Sequence, residues 1–291
     1  MNRLEFPLLS PPEILAAEEA LLDAGEAGIC GETLSFWEPQ QHFVVLGYGN
    51  KVATEVNQSA CERLSIPILR RCSGGGTVLQ GPGVLNYSLV LRATEGTPLA
   101  TINGANQFIM QRNAEALTQL LANPSLATAY ESRDDSGAKA SALQTLPRQP
   151  DAPISREAFG LRACSPPLFQ RVEVQGHTDL AIGGLKFSGN AQRRKRTHLL
   201  FHGAILLHLD LAILEEVLPM PTLQPDYRSG RSHKDFLTQL GVPAESVKQA
   251  LRNAWSATEP DSLDTQFPEW RGSVAKLVAE KYSKPEWNLR A

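Results

Sequence analysis

The sequence predicts an α/β (α+β) protein, and three observations lead there. Helix-periodic segments at Pro12 to Ala24 and Asn103 to Leu121 alternate with short β-like runs, and the pattern turns mainly helical from residue 211 to residue 291. A chain of 291 residues can bury one large core or two modest ones. Its composition, 42% hydrophobic and 20% charged, is ordinary for a soluble protein.

The first helix carries Ile14, Leu15, Leu21 and Leu22 among Ala and Glu. Thr33 to Trp37 and His42 to Leu46 read as strands, the second closing on Gly47-Tyr48-Gly49. Gln58 to Leu64 reads as a helix, Ile66 to Arg70 as a buried strand, and Leu85 to Leu91 as another after the turn at Gly74 to Gly76. Residues 123 to 160 change texture. They are rich in Ala, Ser, Pro, Asp and Gln and suggest a long loop or insertion in which short strands could hide. Strand-like sequence then resumes at Phe169 to Val174, Leu180 to Ile182, Leu185 to Phe187 and Leu199 to Leu209. Candidate helices follow at Leu211 to Val217, His233 to Leu240, Ala244 to Ala254 and Gly272 to Tyr282. With no internal repeat, one domain over residues 1 to 291 is the economical reading.

Charge and cysteine usage narrow the function classes. A net charge of −3 supplies no global basic field, so neither nucleic acid nor a membrane is expected as partner. No apolar run approaches the roughly 20 residues that span a bilayer, and Met1 to Glu5 begins no secretory signal pattern. The four cysteines, Cys30, Cys61, Cys72 and Cys164, lack C-x-x-C spacing and fit reduced thiols in a cytoplasmic protein.

Three segments carry candidate chemistry. In Arg70-Arg71-Cys72-Ser73-Gly74-Gly75-Gly76-Thr77 a glycine triplet follows a strand beside two arginines. Such a triplet is either a tight turn or a place where backbone N–H groups approach a ligand, and arginine suits carboxylate or phosphate. It is neither a Walker loop nor a dinucleotide fingerprint. In Thr178-Asp179-Leu180 through Gly184-Leu185-Lys186-Phe187-Ser188-Gly189-Asn190-Ala191-Gln192, a lysine in a β-like run precedes what reads as a small-residue turn. In Leu200-Phe201-His202-Gly203-Ala204-Ile205-Leu206-Leu207, a histidine sits in an apolar strand, as a satisfied core group or as part of a site. The basic run Arg193 to Arg196 is a solvated loop, or a contact for phosphate or an acidic carrier.

Together, R-R-x-S-G-G-G, G-x-x-D-L…K-x-S-G-x-A-Q and H-G-x-L-L resemble the lipoate–protein ligase and octanoyltransferase family, over about Pro12 to Pro219. The tail Lys281-Tyr282…Glu286-Trp287-Asn288 resembles the end of that family's catalytic domain. The resemblance implies a mixed β-sheet packed against helices, shared with biotin–protein ligases, and a ligand groove across the sheet. It implies that Gly74, Gly75 and Gly76 line the groove, that Arg71 and Ser73 touch an acyl-adenylate, and that Lys186 is the catalytic lysine at the acyl carbonyl. Asn86, Ala191, Arg193 and His202 match further ligand positions, and Asp179 matches an acidic residue that could help hold magnesium. Thr178 stands where the family has asparagine. Leu79, Val84 and Tyr87 are candidates for an apolar tunnel.

The activity implied first is a ligase. It uses ATP and Mg2+ to turn lipoate or octanoate into an acyl-adenylate, then passes the acyl group to a lysine of an apo lipoyl carrier domain. The carrier would be a 2-oxoacid dehydrogenase E2 subunit or a glycine-cleavage H protein, with an accessory ligase polypeptide as a further possible partner. The alternative is an ATP-independent transferase that takes octanoate from acyl carrier protein through a cysteine nucleophile. Cys164, 22 residues before Lys186, is the candidate thiol for it. A second alternative is a non-catalytic homologue that only binds lipoate or the carrier.

Overall fold

A computed structural model describes residues 1–6, 9–122, 171–257, 259–260 and 268–290. The stretch expected to be a long loop, and Cys164 with it, lies outside these residues.

Strand β1 (Asn2–Glu5) leads to helix α1 (Pro11–Glu26). The start of α1 is fixed by a capping box, in which Glu13 Oε2 accepts from the backbone N–H (2.8 Å) and hydroxyl (2.5 Å) of Ser10, and by proline in the first turn. Strands β2 (Thr33–Trp37) and β3 (Phe43–Leu46), helices α2 (Val52–Glu55) and α3 (Gln58–Arg63), and strands β4 (Ile68–Arg70), β5 (Val78–Gln80) and β6 (Val84–Arg92) follow. Helix α4 (Ile102–Leu121) is capped by Thr101, whose hydroxyl oxygen accepts from Gly104 N at 3.0 Å. After it come β7 (Glu173–Gln175), β8 (Asp179–Ile182), β9 (Leu185–Arg194) and β10 (His198–Leu206). The C-terminal part holds α5 (Leu211–Val217), α6 (His233–Phe236), α7 (Ala244–Ala254), β11 (Glu259–Pro260), α8 (Trp270–Leu277) and α9 (Pro285–Asn288), with a π-turn at Val278–Tyr282 between the last two. No helix among the described residues is long and apolar enough to cross a membrane.

The strands form an eight-stranded mixed sheet in the order β11-β1-β2-β6-β10-β9-β8-β7 and a three-stranded sheet β4-β3-β5. Pleating divides the large sheet cleanly. One face presents Leu34, Phe36, Leu85, Tyr87, Leu89 and Phe201 to α4 and α7, where Ile109, Met110, Leu117, Val247 and Leu251 complete a core. On the other face, Val90 and Leu200 pack under α1, which is backed by Trp270 and Val274 of α8. The small sheet covers the same side, with a third core of Val44, Leu46, Val56, Leu79 and Leu214 beneath it. The polar residues of that face, Asn86, Ser88 and His202, therefore sit between two layers rather than in water.

A buried hydrogen-bond chain crosses the first core. Trp255 Nε1 donates to Asn113 Oδ1 (2.8 Å), Asn113 Nδ2 to the Tyr87 hydroxyl (2.8 Å), and that hydroxyl to Asn190 Oδ1 (2.6 Å). It runs across Gly203, where a Cβ would overlap Asn190 Oδ1 and come within 2.8 Å of Tyr87 Cε1, so the glycine of the H-G-x-L-L phrase makes room for it. Burial pushes the Tyr87 phenol well above its ordinary range, so it serves as a fixed donor.

Most predicted elements are present, with several differences. Ser188 to Gln192 is not a small-residue turn but the middle of β9, because each of its residues pairs with β10. His233 to Leu240 is helical only to Phe236, and the chain then turns so that Thr238 N donates to Lys186 O (2.8 Å). Short strands β1, β5 and β11 have too few residues to show periodicity. Asn113→Ala strands the Trp255 and Tyr87 polar groups in the core. It should lower stability by about 2–3 kcal/mol, read as a lower urea midpoint at unchanged slope.

Candidate active site

A cavity of about 900 Å³ opens between the large sheet, the small sheet and the glycine turn. Its inner wall is Leu15, Glu18, Trp37, Val45, Val78, Leu79 and Ala204, and its mouth carries Lys186, Asp179, Tyr227 and Gly176. The size and the mixture of apolar walls with a few polar groups suit a small molecule with a hydrocarbon part.

Lys186 reaches the cavity because β9 is bulged. Asp179 pairs with Gly189 and Leu180 with Ser188, but Ala181 pairs with Lys186, which leaves Phe187 as an extra residue. Regular alternation would put Lys186 on the α4 face with Ser188. The bulge moves it to the face of Gly189 and Ala191. There its Nζ lies 2.7 Å from Asp179 Oδ1, across Gly189, where a Cβ would sit 3.0 Å from that ammonium. Asp179 is held from the other side by the Tyr227 hydroxyl, which donates to Oδ2 at 2.8 Å. Burial and the facing carboxylate both raise the Tyr227 phenol, keeping its proton in place. Thr178 Oγ1 donates to Asn190 O (2.7 Å) and Thr178 O accepts from Asn190 Nδ2 (2.8 Å), so this threonine braces the strand beside the lysine.

At the inner end a second polar chain is buried. Glu18 accepts from Trp37 Nε1 at Oε1 (3.1 Å) and meets His202 Nδ1 at Oε2 (2.6 Å). His202 Nε2 lies 2.6 Å from Ser73 Oγ, and Ser73 Oγ accepts from Arg71 Nε at 3.0 Å. With the imidazole proton on Nδ1, every member has a partner: the serine hydroxyl donates to Nε2 and accepts from the guanidinium. Arg71 also donates from Nη2 to Gly74 O (2.6 Å) and Gly76 O (2.7 Å), which folds the triplet around it. Burial lowers the Arg71 guanidinium to about 10, so it stays charged at neutral pH.

The glycine turn is positioned from outside as well. Gly75 has φ +83°, and a Cβ on Gly47 would overlap the Gly75 carbonyl, so two loops touch through backbone. Asn50, with its amide turned to donate to Gly75 O (3.0 Å), ties them. Arg70, buried to 1% exposure, donates to the carbonyls of Gly47 (3.0 Å), Tyr48 (3.2 Å), Asn50 (2.6 Å), Trp287 (3.0 Å) and Arg290 (2.9 Å). Its own N–H donates to Asn288 Oδ1 at 3.0 Å. The tail Trp287 to Arg290 is thus part of the site's frame.

The structure brings Lys186, Arg71, Gly75, Gly76, Asn86, Asp179, Ala191 and His202 to one cavity. Ser73 is fully buried with its hydroxyl turned to His202 and Arg71, Gly74 is exposed on the outer side of the turn, and Arg193 is exposed on β9 beyond the mouth. Asn86 is held by reciprocal bonds with Gln80 (2.8 and 2.9 Å). Of the expected tunnel, Leu79 lines the cavity. Tyr87 points to the α4 core because it alternates with Asn86 and Ser88, and Val84 packs in the core under the small sheet. Glu18, Trp37 and Tyr227 escape sequence reasoning. Glu18 is one of several glutamates on α1, and only its burial at 3% marks it out.

Asp179 carries its carboxylate at the cavity mouth with Oδ1 on Lys186 Nζ and Oδ2 on the Tyr227 hydroxyl, and the described residues hold no group of three His, Cys, Asp or Glu that could hold a metal ion without further ligands. A magnesium ion at Asp179 would rest on that one carboxylate and on oxygens that a substrate brings. The described thiols are poorly placed for chemistry. Cys30 and Cys61 are pushed upward by burial, and Cys72, behind the glycine turn beside Tyr282, is pushed up to about 12.

Fold and site together define an enzyme-like cavity with an apolar pocket and a lysine at its mouth. The family model for the lipoyl protein ligase A/B catalytic domain matches residues 10–136 and 160–255, and the chain belongs to that family. Among curated relatives it is 26% identical to octanoyltransferase LipM of Geobacillus kaustophilus, covering 96% of this chain and 95% of the relative. It is 24% identical to lipoate–protein ligase 1 of Staphylococcus aureus, covering 84% of this chain and 60% of the relative. Among solved structures, the bipartite lipoate protein ligase of Thermoplasma acidophilum superposes with a TM-score of 0.69 at 20% identity, covering 99% of this chain and 95% of that one. A lipoate–protein ligase A bound with ATP superposes at 0.68 and 22% identity, covering 99% and 97%. These confirm the mixed-sheet fold expected from the motifs.

At pH 8 a thiol displaced to about 12 is thiolate in only about 10⁻⁴ of molecules. Cys72 should therefore resist iodoacetamide in the native protein and react only in denaturant, as read by peptide mass mapping. Labelling of native Cys72 at the rate of a free thiol would contradict the buried geometry.

Proposed function

We propose that this chain transfers an octanoyl group from a carrier-bound thioester to a lysine of a lipoyl domain, without ATP. The observation that carries acyl transfer is the cavity that joins an apolar pocket to the Lys186–Asp179 pair at its mouth. The acyl chain lies between Leu79, Val45 and Trp37, which sets its carbonyl near Lys186 Nζ. When a nucleophile adds to that carbonyl, negative charge grows on oxygen, and a cation already fixed by Asp179 stabilises it without reorganisation. The buried side chains of Trp37, Val45 and Leu79 leave little room for water beside the acyl chain.

The route without nucleotide is supported by the match over nearly the whole length of the octanoyltransferase relatives. Cys164 is the nucleophile in this reading. Its thiolate attacks the donor thioester, the carrier's thiol leaves with a proton, and octanoyl-Cys164 forms. The amine of the lipoyl-domain lysine then attacks that thioester, loses a proton, and releases Cys164 as thiol with an amide formed. Because Cys72 is buried with a raised thiol and does not line the cavity, it does not compete for this role. The lipoyl domain as acceptor is supported by the T. acidophilum structure, described as a ligase with its E2 lipoyl domain.

A second reading, the ATP-dependent ligase, is favoured by the ligase-like phrase Gly176-x-x-Asp179-Leu180. In it Asp179 would share its carboxylate between a metal ion and its present partners Lys186 and Tyr227.

The two are separated by the mass of an apo lipoyl domain after incubation with octanoyl-acyl carrier protein alone, or with lipoate and magnesium-ATP. An octanoyl increase in the first mixture, abolished in Cys164→Ser and lowered about 10²–10³-fold in Lys186→Ala, is expected. A lipoyl increase confined to the second mixture and unaffected by Cys164→Ser would sink the transferase reading.

A further inference from the structure

One group of charged side chains beside the cavity has no part in the chemistry above. Arg193 is exposed on β9 with its guanidinium 5.6 Å from the centre of the Tyr48 ring. Arg290 stacks on the same ring at 4.1 Å and on Trp287 at 4.4 Å, and its Nη2 donates to Tyr48 O at 2.5 Å. Tyr48 in turn is anchored to the glycine turn, its N–H donating to Ser73 O at 2.7 Å. Among the described residues neither arginine has a carboxylate partner, and the acids of α1 are committed elsewhere: Glu18 to His202, Glu19 to Lys281 and Tyr282, Asp23 to Lys195. Arg70 and Arg71 add two buried guanidiniums that meet mainly carbonyl oxygens. Among the described residues, Arg193 and Arg290 thus stand beside the glycine turn without an acidic partner, on a protein whose net charge is −3.

Guanidiniums held on an aromatic ring are pre-oriented to give several N–H donors to one tetrahedral anion. The spacing says which anion. At about 3.4 Å per residue, the backbone of Arg193 lies about 14 Å along β9 from that of Gly189, over which the Lys186 ammonium sits. In a phosphopantetheine thioester about thirteen bonds separate sulfur from phosphorus, a reach of about 15 Å when extended. In an acyl-adenylate the phosphorus is two bonds from the acyl carbonyl carbon, so its phosphate belongs at Lys186 and not at Arg193. We propose that Arg193 and Arg290, clamped on Tyr48, seat the phosphate of a phosphopantetheine-borne acyl donor while its thioester carbonyl lies at Lys186. This deepens the transferase reading and rests on it.

Binding can be read apart from turnover by calorimetry with 4′-phosphopantetheine and with pantetheine, on the wild-type chain and on Arg193→Gln/Arg290→Gln. Arg193→Gln alone serves as a second variant that leaves the tail contacts of Arg290 intact. The expected result is roughly tenfold or tighter binding of the phosphorylated compound by the wild type, a preference lost in the double variant and reduced in the single one. The same ratio should appear in kcat/KM for S-octanoyl-4′-phosphopantetheine against S-octanoyl-pantetheine. Equal binding of both compounds by the wild type, or a preference that survives in the double variant, overturns the proposal even if octanoyl transfer proceeds. Loss of ATP-driven lipoate attachment in the variants, with no phosphopantetheine preference in the wild type, assigns the cluster to a nucleotide and also overturns it. A preserved preference in binding without any octanoyl transfer leaves the phosphate seat standing and removes the transferase reading.

Discussion

A buried guanidinium must find a partner for every N–H or lose several kcal/mol, and Arg70 meets that demand with carbonyl oxygens alone. The carbonyls come from the 47–50 loop and from the end of the chain, so one side chain draws both onto the end of β4. The following residue repeats the device inward: Arg71 collects Gly74 O and Gly76 O and thereby closes the glycine turn on itself. Arg70 ends β4 and Arg71 follows it directly, and each organises a different loop. That is why the R-R pair precedes the triplet, and why the tail residues Trp287 and Asn288 accompany it although more than 200 positions away.

The same economy governs the sheet. One extra residue in β9 moves Lys186 to the cavity face, and the missing Cβ of Gly189 lets its ammonium lie flat against backbone to reach Asp179. On the neighbouring strand the missing Cβ of Gly203 makes space on the opposite face for Asn190, which ties the Tyr87–Asn113–Trp255 chain to the strand that bears the lysine. Core rigidity and the position of the lysine are thus linked through β9. A lysine on a flat, unbulged strand would have faced α4 and paid the desolvation cost of a cation among leucines.

How much of this is legible in the sequence depends on range. Helices α1 and α4 and strands β2 and β6 show their periodicity locally, and the three motifs mark the site because their residue types are unusual for plain strands. The bulge is not legible: Leu-Lys-Phe-Ser-Gly-Asn reads equally as strand followed by turn, and only pairing with β8 decides it. Glu18 is not legible either, since its role depends on which face of α1 meets Trp37 and His202. Tyr227 reaches Asp179 from a 3₁₀ turn 48 residues away, a contact for which nothing local gives a signal. Val84 and Tyr87 were credible tunnel residues by composition, and simple alternation about Asn86 removes Tyr87.

The charge distribution completes the physical picture. The formal charges that line the pocket nearly cancel, since Glu18, Glu55, Asp179 and Asp226 stand against Arg71, Lys186 and Arg228. A neutral, mostly apolar interior favours a hydrocarbon chain over any charged occupant. Beside the pocket, Arg193 and Arg290 stack on Tyr48 and Trp287, and no acid among the described residues pairs with them. A ligand that satisfies both regions has an apolar end of modest length, a reactive carbonyl at the mouth, and an anionic group farther out. A free fatty acid places its charge at the mouth itself, next to the Lys186–Asp179 pair, and leaves the rim unanswered. In the proposed transferase reading, a thioester on a long phosphorylated arm meets the three regions in order: its chain in the apolar pocket, its carbonyl at Lys186 and its phosphate beside the arginines.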